Sequence, residues 1–229
     1  MIKEKFSKAA KDIKDNWIEF TLTMFLAVVL FVIDIVSKHV AYNAMHAEYE
    51  AKGFVALKTA VPYLFDVTLV FNNGAAWNMG AGLKPLLTGI SLIMAFVIFF
   101  VLFLYFKKLP RFAKIGISLC LAGDVGNLID RFGFLIEAEG IYNRGVVDFI
   151  VFDFWKSFPV FNIADSCLVI GIIVLIVGYI VVSIIQAKKA NEVQQMHPEV
   201  GDNADLKEKL AQKSAIKNED SSQEGEKDE

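Results

Sequence analysis

Two stretches of this chain, Pro85 to Phe106 and Ser166 to Ala187, each run for 22 residues without a formal charge. About 20 apolar residues carry a helix across the hydrocarbon layer of a bilayer. Backbone in lipid must satisfy its own hydrogen bonds, so such isolated runs have to be helices. Composition agrees, because 55% of the 229 residues are hydrophobic and only 21% are charged, which is too apolar for an ordinary soluble domain. Phe20 to Ile33 is uncharged for 14 residues and continues past Asp34 through Ile35, Val36 and Ser37, which predicts a further span near 18–40. Ile115 to Ile129 is the weakest candidate, since Asp124 sits inside it, but Phe112 and Ala113 extend it to spanning length. The expected fold is a polytopic α-helical membrane protein with four transmembrane helices.

Lysine and arginine accumulate on the cytoplasmic side of a membrane protein. Lys3, Lys5, Lys8, Lys11 and Lys14 precede the first span, Lys107, Lys108, Arg111 and Lys114 join the second to the third, and Lys188 and Lys189 follow the fourth. The other two connections, 43–84 and 131–162, are longer and hold three basic residues each. Both termini are therefore expected in the cytoplasm and both long loops outside. The basic start resembles a secretory signal, yet no small-residue cleavage site precedes Asp34, so an uncleaved first span is expected. Three segments follow: a basic cytoplasmic stretch 1–17, a four-helix membrane domain 18–187, and a tail 188–229. The net charge of −3 hides a contrast, because residues 1–187 carry +1 and residues 188–229 carry −4. From about Asn191 the tail is polar and poor in aromatics, and disorder is expected there apart from a helical turn near 204–213.

The outer loops contain strand-like runs. Tyr63 to Phe71 (YLFDVTLVF) and Val146 to Phe154 (VVDFIVFDF) are rich in β-branched and aromatic residues, which predicts a small extracytoplasmic β-sheet on the membrane surface. No basic face with interleaved aromatics supports binding to nucleic acid. Cys120 and Cys167 lie in apolar runs, which argues against a disulfide framework or a cysteine metal site. No metal or other cofactor is expected.

Ionisable groups within or at the edge of a membrane are costly and tend to mark function. With the N-terminus inside, Asp34 and Lys38 fall at the outer end of the first span, Asn127, Asp130 and Arg131 at that of the third, and Asn162 and Asp165 at the outer start of the fourth. Asn72, Arg144 and Asp148 belong to outer segments expected beside them. Carboxylates, amides and cations from separate stretches thus converge on one side of the bilayer.

At these residues the chain resembles the lipoprotein signal peptidases, the type II signal peptidase family. The resemblance rests on Asn72-Asn73-Gly74-Ala75-Ala76-Trp77, on Gly126-Asn127-Leu128-Ile129-Asp130-Arg131, on Arg144 to Phe149 (RGVVDF) and on Phe158 to Ser166 (FPVFNIADS), and covers about residues 18–187. It implies an intramembrane aspartyl endopeptidase that removes signal peptides from bacterial prolipoproteins, cutting before the diacylglyceryl-modified cysteine. Its implied partners are those lipidated precursors and membrane lipids, and it is expected to act as a monomer in the bacterial cell membrane. By motif, Asp148 and Asp165 would be the catalytic pair. Asn72, Gly74, Asn127, Arg131 and Asn162 would order the site or hold substrate backbone, and Asp34, Lys38, Asp130 and Arg144 would support it. Three positions depart from the family pattern: Ile35 follows Asp34 where Gln is usual, Trp77 replaces Phe, and Asp124 stands where a small or apolar residue is normal.

Plainer roles exist for several of these residues. Asn162 and Asp165 have the spacing of a helix cap and its third-position acid. Asp34 and Lys38 have that of an intrahelical ion pair. Asp130 and Arg131 could pair locally, while Asp66 and Asp153 read as solvated. Cys167 lacks an oriented histidine, and a Ser–Lys scheme using Ser37 or Ser166 with Lys38 leaves the aspartates unexplained. Gly74, Gly126 and Gly145 suit turns and close packing better than a phosphate loop. A proton- or ion-coupled transporter and a non-catalytic envelope scaffold are the alternative functions. Against transport, the acids gather at one interface, with Asp124 the deep exception, and inverted repeats are missing.

Overall fold

The structure, a computed structural model, describes residues 2–74, 83–133 and 145–196. Its elements in chain order are α1 (Ile2–Asp15), α2 (Trp17–Lys52), β1 (Lys58–Val61), β2 (Phe65–Asn72), α3 (Lys84–Tyr105) followed by a 3-10 turn at Phe106–Lys108, α4 (Arg111–Phe132), β3 (Val146–Phe152) and α5 (Ile163–Met196). Four helices are long and apolar enough to cross a membrane, as α2, α3, α4 and α5. Contacts divide the chain into two units, residues 1–176 and 177–229. The described part of the second is the continuation of α5 as far as Met196.

Hydropathy located the spans but not the ends of the helices. The first span, expected near 18–40, belongs to a helix that continues to Lys52, so the first ten residues of the expected outer loop are helical. Ala44 to Lys52 (AMHAEYEAK) is polar enough for water but made largely of good helix formers. Nothing stops it until Gly53, whose left-handed backbone (φ 77°) lets its N–H reach Tyr49 O at 2.7 Å. Similarly, α5 runs past Ala187 to Met196, and the helix therefore includes the first residues of the stretch expected to be disordered. The remainder of that expectation, including a helical turn near 204–213, lies outside the described residues. Residues 1–17 are not merely a basic lead-in. Within them Ile2–Asp15 form α1, whose Phe6 ring lies 6.2 Å from Phe100 and 6.1 Å from Phe103 at the end of α3.

Helix α4 explains why the third span reads weakly. It packs against both α2 and α3, and glycines bring it close to α5. A Cβ on Gly123 would stand 2.4 Å from Ala164 O, and one on Gly116 2.8 Å from Leu175 Cγ. A helix enclosed by protein need not match lipid, so Asp124, Asn127 and Asp130 can be buried along it. By contrast, α3 and α5 expose Ile90, Ile93, Phe96, Ile170 and Ile173, as helices facing acyl chains must.

The two strand-like runs pair with one another. The sheet is antiparallel in the order β1-β2-β3, and Asn72 faces Val146, Val70 faces Asp148 and Phe65 faces Phe152. The edge strand β1 is too short and exposed to carry a sequence pattern. Tyr63, read as strand, sits instead in the turn between β1 and β2 with φ 65°. The inner face of the sheet buries Leu69, Val147 and Phe149 against Ala41, Tyr42 and Met45 of α2, with Val55 completing the cluster. Phe161 bridges to Ile150, its N–H donating to Ile150 O at 3.0 Å, which lays the start of α5 along β3.

Packing at Gly123 predicts that Gly123→Ala destabilises the protein by about 1–3 kcal/mol, because the backbone oxygen it meets cannot yield as a flexible side chain would. Gly89, where an added Cβ would meet nothing within 4 Å, is the matched control, and Gly89→Ala should hold or raise the thermal midpoint of the detergent-purified protein.

Candidate active site

Asp148 faces Val70 across the β2–β3 ladder, and Asp165 lies in the first turn of α5. Asn162 connects them. Its side chain Nδ2 donates to Asp148 Oδ1 at 2.7 Å, while its backbone N–H donates to Asp165 Oδ2 at 3.2 Å. Asp165 returns a bond from its own N–H to Asn162 Oδ1 at 2.9 Å. The reciprocal pair is a capping box at the start of α5, so the helix-cap role and the site role belong to the same two side chains. The cap uses Asn162 Oδ1 and leaves the amide nitrogen available to the second carboxylate.

Each carboxylate has another amide partner. Asn72 Nδ2 donates to Asp148 Oδ2 at 3.0 Å, and Asn127 Nδ2 donates to Asp165 Oδ1 at 2.8 Å. Asn72 is itself fixed by an Asx-type turn in which Gly74 N–H donates to its Oδ1 at 2.9 Å. Beside it, Gly145 has φ 84°, and a Cβ there would come within 2.3 Å of Asn72 O, so only glycine fits. Burial, reinforced by the nearby charge of Asp165, pushes the Asp148 carboxyl up to about 7.

Behind the pair lies a buried cluster centred on Lys38. Its ammonium is 2.7 Å from Asp34 Oδ2 and 2.8 Å from Asp130 Oδ2, and it donates to Asn127 Oδ1 at 3.0 Å and Gly126 O at 3.4 Å. Asp34 Oδ1 accepts the Ala164 N–H at 2.8 Å. Asp130 Oδ2 accepts the Val147 N–H at 3.3 Å. The expected Asp34–Lys38 pair is present, but it is buried, with both side chains 1% exposed. Asp130 does not pair with Arg131. Its partner is Lys38, and Arg131 donates instead to Ser91 Oγ of α3 at 3.4 Å.

Other residues fall away from this centre. Asp66 is buried and paired with Lys156, against the expectation of a solvated side chain, and Asp153 joins the same lysine at 2.7 Å. Ser37 and Ser166 donate to helix carbonyls, Asp34 O and Asn162 O, which leaves a Ser–Lys scheme without a free nucleophile. Cys167 is buried, and His46 stacks on Tyr42. Arg144, with Ala75, Ala76 and Trp77 of the first motif, lies outside the described residues. Sequence reasoning missed Ser91, since a serine in an apolar span carries no distinguishing signal, and it missed the Ala164 and Val147 N–H groups, which only the fold brings to carboxylates.

The arrangement sets two carboxylates, both made to accept hydrogen bonds from fixed amides, at one end of the helices beside an arginine. Three comparisons show what the chain as a whole is similar to. Residues 26–181 match the family described as signal peptidase (SPase) II. The chain is similar to the lipoprotein signal peptidase of Staphylococcus haemolyticus (strain JCSC1435), 33% identical over 164 residues covering 69% of this chain and 90% of that one. It is also similar to that of Staphylococcus aureus (strain Newman), 32% identical over 157 residues covering 68% and 86%. Among solved structures, it resembles a bacterial membrane enzyme determined by the in meso method at 1.9 Å resolution, with TM-score 0.55, 29% identity, and coverage of 69% of this chain and 92% of that one.

Removing the central cation would leave two buried carboxylates facing each other. Lys38→Met is therefore expected to destabilise the protein by about 3–5 kcal/mol, measured by denaturant titration in detergent. The exposed pair of Lys188 and Glu192, 4.0 Å apart, provides the contrast, and Lys188→Met should change stability by less than about 1 kcal/mol.

Proposed function

The chain belongs to the signal peptidase II family, a multi-pass bacterial membrane protease, and we propose that it cleaves prolipoproteins by an aspartyl mechanism carried by Asp148 and Asp165. The observation that carries this reading is the bridge through Asn162, which touches both carboxylates from a single residue. Amide hydrolysis without a covalent intermediate needs one group to take a proton from water and another to supply one. Two close carboxylates that share a proton provide both.

In this scheme Asp165 is the ionised member and Asp148 the protonated one, although the two titrate jointly. Asp165 sits at a helix N-terminus, where the partial positive charge suits a carboxylate. Asp148 is buried in a strand, and its carboxyl, raised to about 7, holds a proton near neutral pH. Water between them loses a proton to Asp165 as its oxygen attacks the scissile carbonyl, and Asp148 gives its proton to the carbonyl oxygen. The resulting tetrahedral diol then collapses. Its C–N bond breaks, the amine leaves with the proton from Asp165, and a hydroxyl proton returns to Asp148, restoring the starting charges.

The remaining roles follow from position. Asn72, Asn127 and Asn162 orient the carboxylates, and Arg131 holds substrate backbone. Gly74 fixes Asn72, and the Asp34–Lys38–Asp130 cluster supports the platform from behind. Arg144 is assigned a supporting role by motif alone. The exposed apolar faces of α3 and α5 suit a substrate that arrives as a hydrophobic signal helix bearing acyl chains, cut before its lipid-modified cysteine. The distribution of Lys and Arg supports both termini in the cytoplasm and the dyad near the outer face.

Reconstitution with a diacylglyceryl-modified precursor tests the mechanism. Asp148→Asn and Asp165→Asn, provided they insert, should each lower turnover by about 10²–10⁴-fold or more, and turnover near the wild-type rate in either excludes the dyad. The sign of the pH dependence follows from the raised carboxyl. Asp148 is competent as an acid only while protonated, so kcat/KM should decline as pH rises through about 7. A profile flat from pH 6 to 9 would assign the proton elsewhere.

A further inference from the structure

Of the two acids on α4, Asp130 belongs to the cluster around Lys38, and Asp124 has no part in the site described above. Asp124 is 8% exposed, and its Oδ2 meets no hydrogen-bond donor. A carboxylate oxygen left unmet away from water is costly, so its surroundings matter. Arg131 stands seven residues further along the same helix, hence on the same face and about 10 Å higher by rise. Helical side chains lean toward the N-terminus of their helix, which aims Arg131 back in the direction of Asp124. Ser91 of α3 lies between the two. Its Oγ accepts from Arg131 Nη1 at 3.4 Å and it lies beside the Asp124 carboxylate. The guanidinium is also within electrostatic range of Asp165, Asp130 and Asp148. Arg131 therefore has carboxylates in both directions along α4, the dyad toward the helix end and Asp124 toward its interior.

We propose that Asp124 is a positioning residue for peptide-bond cleavage, acting through Ser91 to hold the Arg131 guanidinium back from the two catalytic carboxylates and available to substrate backbone. Without that anchor the opposite charges within electrostatic range are those of Asp165, Asp130 and Asp148; Asp130 is already paired with Lys38, so the guanidinium moves toward the dyad and the place that water and the scissile carbonyl require. Asp124 touches no reacting atom in this scheme, and its influence is exerted on binding. The inference rests on the proposed role of Arg131 in holding substrate.

The test is steady-state cleavage of a diacylglyceryl-modified precursor by the full chain in liposomes, comparing wild type with Asp124→Asn, Ser91→Ala and the double variant. In both single variants KM should rise by about 5–20-fold with kcat changed by less than about 3-fold, and the double variant should be no worse than the poorer single one. Asp124→Glu, which keeps the charge, should recover most of the lost KM. A wild-type KM in Asp124→Asn overturns the proposal, and so do effects of the two single variants that multiply, or a loss confined to kcat. Should Asp124→Asn fail to insert, Ser91→Ala decides alone, a raised KM supporting the anchor and an unchanged one rejecting it. Cleavage that persists in Asp148→Asn counts against the aspartyl mechanism, whereas normal binding by Asp124→Asn beside an active wild type counts only against the positioning role.

Discussion

A single buried ammonium holds the functional end of this protein together. Lys38 of α2 contacts Asp34 on its own helix and Asp130 and Asn127 on α4. The partners then reach two further elements: Asp34 takes the Ala164 N–H of α5, Asn127 donates to Asp165 of the same helix, and Asp130 takes the Val147 N–H of β3. One cation thus ties three helices and a strand into one network. Buried ion pairs contribute little net stability once desolvation is counted, and breaking one is expensive because the partner remains charged. The network therefore acts chiefly on geometry, fixing the two carriers of the dyad relative to each other.

The polar groups are tolerable because each helix has its own surroundings. Lipid-facing α3 and α5 are apolar over long stretches, while α4 is enclosed by α2, α3 and α5 and carries acids, an amide and small residues. Close approach at Gly123 and Gly126 depends on the missing side chains. At Gly126 a Cβ would stand 2.6 Å from Asp34 Oδ2, in the middle of the cluster. The glycines of α4 and the charges of α2 are thus parts of one packing solution.

Several features are legible in the order of residues alone. The two long apolar runs could only be membrane helices, and the β-rich runs were expected to form a sheet, which they do by pairing with each other. Ordered motifs pointed to Asp148 and Asp165, and the structure brings both to Asn162. Where the reading failed, the physical signal was local and the outcome was not. Hydropathy changes at the water boundary, whereas α2 ends where Gly53 permits a left-handed turn. Adjacent charges suggested an Asp130–Arg131 pair, but neighbours on a helix point about 100° apart, and a cation from another helix was closer in space. Asp66 looked solvated because Lys156, ninety residues away, gave no sign of its proximity.

Sequence alone determined that this chain lives in a membrane, how many times it crosses, and which end of its helices collects the polar residues, because these follow from transfer energies summed along the chain. Tertiary structure alone decided which donor meets which acceptor. Hydrogen bonds and ion pairs act over about 3 Å, a distance set by the packing of separate helices and strands and carried by no stretch of sequence. That is why Asn162 could be read as a helix cap from its spacing, and only the folded chain shows it joining two carboxylates.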